Sequence, residues 1–112
     1  MAIVLFDKNT KKTIRGFPKG LKVELGKLLM VLQQGVKLSM PTSRPMDNVF
    51  KGLSELRLKD EEGNYRVFYY TKVKGKIIVP HAFTKKSQKT EQKEIKTAIN
   101  RLKKILEEEG IG

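Results

Sequence analysis

The chain has 112 residues, 38% hydrophobic and 32% charged, with no cysteine and one histidine, values that fit one globular domain over residues 1–112 and exclude disulfide scaffolds, thiolate chemistry and the common zinc sites. Twenty-four lysines and arginines against 12 acidic residues give a net charge of +12 and a pI near 10.0, which calls for an anionic partner. No run approaches the ~20 apolar residues of a membrane helix and Met1 to Asp7 lacks the basic start of a secretory signal, so a cytoplasmic protein without membrane contact, metal or cofactor is expected.

Ile3 to Phe6, "IVLF", is a short β-branched run closed by Asp7, Asn9 and Thr10, and it predicts a strand entering a turn. Pro18 then opens a helix with Leu21, Leu25, Leu28, Leu29 and Leu32 on one face and Gly35 at its C-terminal cap. Leu38 to Asn48 holds two prolines and several turn formers, the composition of a surface connection. Three strands follow at Leu53 to Lys59, Tyr65 to Val73 and Lys76 to Phe83, joined by spacers short enough for an antiparallel meander. Pro80 cannot donate to a ladder and belongs at an edge, a bulge or a strand end. From about Glu91 the period changes to a helical one, with Ile95, Ala98, Ile99, Leu102, Ile105 and Leu106 on one face, Thr90 as N-cap and Gly110 at the end. The expected architecture is α+β: a small antiparallel sheet packed with an N-terminal and a C-terminal helix.

The charge is concentrated. Thr71 to Lys104 carries eleven bases against Glu91 and Glu94. Alternation along a strand puts Arg57 and Lys59 on one face, with Leu56 and Leu58 on the other. Arg66 shares a face with Phe68 and Tyr70, where an ion pair with Glu55 or Asp60 is one reading and a concave cationic patch with Arg57 and Lys59 is another. Lys85 and Lys86, at the end of the last strand, would close that patch. Metal-free RNA cleavage needs groups to take the 2′-hydroxyl proton, to stabilise charge on phosphorus oxygens and to protonate the leaving oxygen, and guanidinium and ammonium groups suit the second task. His81 has a packed reading and a catalytic one, and Phe83 divides between core and base-stacking platform.

The segments "GLSELRLKDEEGNYRVFYY" and "IIVPHAFTKKSQKT", followed by "EQKEIKTAINRL", resemble the RelE/HigB superfamily of type II toxin-antitoxin toxins, particularly the phage Gp49-like HigB branch. The resemblance covers roughly residues 52–106 and implies a RelE-like toxin that cleaves mRNA on the ribosome and is neutralised by a cognate antitoxin, of helix-turn-helix type, the free toxin being a monomer. It implies catalytic roles for Arg66, which would hold the scissile phosphate, for Arg57 and Lys59, and for Lys86 at the leaving group. Lys85, His81, Phe83 and Lys89 would contact RNA. Thr90 and Gln92 stand where some members carry a tyrosine, so a tyrosine base does not transfer. Two other classes of function fit the same charge: a non-catalytic basic nucleic-acid-binding or regulatory module, and an adaptor for an acidic protein.

Overall fold

The computed structural model describes residues 1–86 and 92–110. In chain order it contains β1 (Ile3–Phe6), α1 (Lys8–Arg15), α2 (Lys19–Gln33), β2 (Ser43–Pro45), β3 (Leu53–Lys59), β4 (Asn64–Val73), β5 (Lys76–Lys85) and α3 (Gln92–Glu108). The strands form one sheet in the order β1-β5-β4-β3-β2. From β2 to β5 every pairing is antiparallel, as a meander demands, while β1 returns to the far edge and runs parallel to β5, Ile3 opposite Lys76 and Phe6 opposite Val79. The α+β expectation therefore holds, with one parallel edge strand that a local reading of "IVLF" does not reveal. Among the described residues no helix is long and apolar enough to cross a membrane.

The sheet is covered on both sides. Leu21, Leu25, Leu29 and Leu32 of α2 share one core with Leu56, Leu58, Val67, Ile77 and Val79. Ile95, Ala98 and Leu102 of α3 share the other with Leu53, Phe68, Ile78 and Phe83. A helix with an apolar stripe gains about 25 cal/mol per Å² by covering the apolar face of a sheet, which explains both layers. α2 ends at Gln34 and Gly35, whose φ of 86° lets the chain leave in the left-handed region while its N–H bonds the Leu32 carbonyl at 3.0 Å.

Two elements depart from the expected ones. Asp7, Asn9 and Thr10 start a helix instead of a turn: Asp7 caps it, its carboxylate accepting from the N–H groups of Asn9 and Thr10 at 2.9 and 3.1 Å. The connection after α2 includes the three-residue edge strand β2, whose Pro45 sits where a missing donor is least costly. Pro80 marks a bulge: the β4–β5 register shifts between Phe68 opposite His81 and Tyr70 opposite Ile78. The shift places Ile78, His81 and Phe83 on the α3 side while Val79 and Ala82 join the α2 core. The expected N-cap Thr90, with Glu91 and Lys89, lies outside the described residues.

Candidate nucleic-acid interface

Strand alternation builds the site. Ser43 turns toward the α2 side, where its hydroxyl lies 2.6 Å from the Tyr69 hydroxyl, so Arg44 is on the α3 side. There Arg44 stands opposite Glu55, Arg57 opposite Arg66, and Arg66 opposite Phe83, while Asn64 lies between Lys59 and Lys85. Arg44, Arg57, Arg66 and Lys85 thus gather around the Glu55 carboxylate at the end of the sheet, with Lys59 beyond them.

Two of these groups are deeply buried. Glu55 is 1% exposed and Arg66 5%, and the Arg66 Nε is 3.7 Å from the Glu55 carboxylate. One guanidinium nitrogen, Nη1, donates to the Tyr65 carbonyl at 3.2 Å, whereas the buried Nε has no hydrogen-bond partner among the described residues. A buried donor without an acceptor is costly, about 1–3 kcal/mol, and leaves bonding capacity for an incoming anion. Arg57 directly opposite Arg66 adds repulsion that a ladder of neutral residues would avoid.

The surroundings lower the proton affinity of two cations. Burial is the larger cause at Arg66, opposed by Glu55 and reinforced by Arg57 and Arg44. Lys85 is pulled below the ordinary lysine value by burial and then by the charges of Arg66, Arg57 and Arg44, against Glu55. Lys85 is therefore part of the cluster. Lys86 follows the strand and is exposed, with no ion-pair partner among the described residues.

Arg57, Lys59 and Arg66 line one cleft of about 490 Å³, together with Asn64, Pro41 and Thr42, and with Glu24 as the acidic member of its wall. β2 pairs only with Ser54 to Leu56, so the end of β3 that carries Arg57 and Lys59 has no strand beyond it and the cleft opens there. A second cleft of similar volume, at the opposite end of the sheet beside Tyr69, Lys72 and Lys74, receives none of the expected site residues.

His81 and Phe83 are placed differently from an RNA-contacting pair. They are 9% and 8% exposed and stack with Phe68, ring centroids 5.7 to 6.2 Å apart. Both nitrogens of His81 are occupied: Arg101 donates to Nδ1 at 3.1 Å, which fixes the tautomer so that Nε2–H donates to Glu94 at 2.8 Å. Burial lowers its pKa below the ordinary histidine value, outweighing the hydrogen bond that its Nε2–H donates to Glu94, which acts the other way. Arg101 also approaches Thr10 Oγ1 and the Asp7 carboxylate, at 3.3 and 3.4 Å. A neutral His81 is thus a tie between β5, α1 and α3. Its packed reading is the one the geometry favours, and Phe83 is core. Lys89 lies outside the described residues.

Arg44 is the site residue that the sequence conceals, because nothing local marks "SRP" as a strand facing Glu55. Glu55 itself is visible in the sequence as an alternative partner for Arg66, and the two are indeed paired.

Comparison with known proteins agrees with this architecture. The isolated E. coli RelE toxin matches with a TM-score of 0.51 at 17% identity, covering 95% of this chain and 100% of that one, which shows a shared fold. A search among curated proteins found no match. The family model described as phage derived protein Gp49-like (DUF891) matches residues 12–103. The chain belongs to this Gp49-like family, a RelE/HigB-type toxin family.

Proposed function

We propose that this chain is the toxin of a toxin-antitoxin pair and acts as a ribosome-dependent mRNA endoribonuclease, held in check by a cognate antitoxin. The observation that carries the reading is Arg66: a buried guanidinium with an unused donor, facing Arg57 and backed by Glu55, on the wall of a cationic cleft. Its role is to hold the scissile phosphate and stabilise charge as the 2′-oxygen, its proton passed to solvent water, bonds to phosphorus and the bond from phosphorus to the 5′-oxygen breaks. Arg57 and Lys59 line the same cleft and bind the substrate beside it. Lys85, drawn toward neutrality by burial and by the arginines, is the ammonium readiest to give its proton to the leaving oxygen. In that role it takes the place expected of Lys86, whose exposure suits RNA contact at the rim.

No group with an ordinary pKa near 7 faces the cleft among the residues named, since His81 is committed to Arg101 and Glu94. The free protein should therefore be a slow nuclease. Orientation of the 2′-hydroxyl by the ribosome supplies what the site lacks, an effect that reaches about 7 to 11 kcal/mol in well-aligned systems.

Primer extension on an mRNA, with and without translating ribosomes, tests the reading. Cuts should require ribosomes and disappear in Arg66→Ala. The variant should stay folded, because Arg44, Arg57 and Lys85 remain to neutralise Glu55. A wild-type protein that is folded, binds RNA and leaves the message intact on ribosomes would instead support the non-catalytic nucleic-acid-binding module.

A further inference from the structure

We propose that the outer face of α1 binds the phosphate backbone of RNA, as a surface separate from the cleft at Arg66. The inward side of this helix is Thr10, fully buried, and half-buried Ile14, continued by buried Phe17, at i, i+4 and i+7. The outward side carries Lys8, Lys11, Lys12 and Arg15, all exposed and spaced at i, i+3, i+4 and i+7, so they form one row with neighbours about 5–6 Å apart. Lys19 and Lys22 extend it, and no acidic residue occurs from Lys8 to Lys22. None of these six cations has an ion-pair partner among the described residues. The nearest acid in sequence, Asp7, is engaged by the helix cap and by Arg101.

Helix stability explains only part of the row: Lys12 and Arg15 lie in the last turn, where cations suit the helix dipole, but the row as a whole gains nothing from it. Like charges at i, i+4, as in Lys8 with Lys12 and Lys11 with Arg15, are destabilising, and Lys8 at the N-terminus opposes the helix dipole. An anion lying along the helix removes both penalties. RNA fits better than an acidic protein because protein interfaces are built around an apolar centre, and this face exposes no large apolar side chain. Its position also suits a strand. Thr10 donates to the Pro80 carbonyl at 2.8 Å, and Phe17 packs against Tyr65 with ring centroids 5.1 Å apart. α1 therefore runs along the edge of β5 that β1 leaves unpaired beyond Val79, toward the end of the sheet where Asn64 and Lys85 lie.

This inference rests on the RNA reading of the cleft but is separable from cleavage. Binding of a short fluorescein-labelled single-stranded RNA, measured by anisotropy over a range of salt concentrations without ribosomes, reports how many phosphates the protein neutralises. Replacing Lys8, Lys11, Lys12 and Arg15 together by Gln should lower the log-log salt slope by about 0.7 for each phosphate no longer neutralised, hence by about 2 to 3. The same change in charge at Lys37, Lys51, Lys72 and Lys74, around the opposite end of the sheet, should lower it by less than about 0.7. All eight positions are exposed, so both variants should melt close to the wild type. An equal fall in both variants overturns the proposal, since it would report net charge alone. An unchanged slope in the α1 variant, with weakened antitoxin binding in its place, also overturns it and assigns the face to an acidic protein. Wild-type protein that leaves messages uncut on ribosomes while the slope difference persists defeats the cleavage reading and leaves this one standing.

Discussion

The two faces of the sheet are built from the same strands and differ in what they bury. Toward α2 the buried set is Leu, Val, Ile, Phe, Tyr and Ala with the hydroxyl of Ser43, and no charged side chain among the described residues. Toward α3 the same strands bury Glu55, Arg66 and His81 among Phe68, Ile78 and Leu102. Burying a paired charge is seldom better for stability than a hydrophobic residue of equal volume, so the second face is not optimised for stability alone. One side holds the chain together, and the other keeps charged groups in fixed positions at a cost in stability.

Substitutions can break this contrast in order of expected effect. Leu56→Ala, on the α2 side, should lower unfolding stability by about 2–5 kcal/mol, seen as a lower denaturant midpoint, while the molecules still folded cut as well as wild type. A loss of cutting per folded molecule would show that the faces are not separable. Glu55→Gln, on the other side, should do the reverse. The isosteric amide keeps the packing and shifts stability by about 1–3 kcal/mol, but Arg66 loses the charge that aims it and ribosome-dependent cleavage should fall about a hundredfold. Full activity in that variant would reduce Glu55 to a filler.

The smallest effect concerns His81. Burial holds its native pKa below 6.5, so as the pH falls past that value the unfolded chain takes up a proton that the native chain refuses. Its contribution is complete above pH 6.5 and is lost as the pH drops toward the native pKa. Wild-type melting temperature should therefore fall more steeply than that of His81→Gln as the pH is lowered below 6.5. Parallel curves would mean that the residue is not held neutral.

What is legible in the sequence is whatever an element declares by itself. The leucines of α2, the alternation in β3 and the apolar face of α3 each have a period, and alternation puts Arg57 and Lys59 on one face, whereas setting Arg66 opposite Arg57 takes the β3–β4 register. Features set by long-range partners are hidden. α1 has a single apolar residue, Ile14, so its period is too thin to see even though its cap, Asp7, stands in view. β2 is a strand only because β3 lies beside it, which conceals Arg44. His81 is equivocal in sequence because Glu94 and Arg101 are 13 and 20 residues away along the chain. The acidic end of α3 has no local rationale either, and gains one only where Lys76, at the start of β5, donates to Glu109.

The parallel pairing of β1 with β5 joins Ile3–Phe6 to a strand that begins at Lys76. During synthesis β1 leaves the ribosome early and has nothing to pair with until more than half of the chain has followed it. Closing that loop costs more entropy than the neighbouring hairpins, so the edge is secured late. Arg101 can reach Asp7, Thr10 and His81 only after α3 has emerged as well. A chain wired this way stays unfinished while most of its own message is still being read, and chains truncated before β5 lack both the edge partner and Lys85.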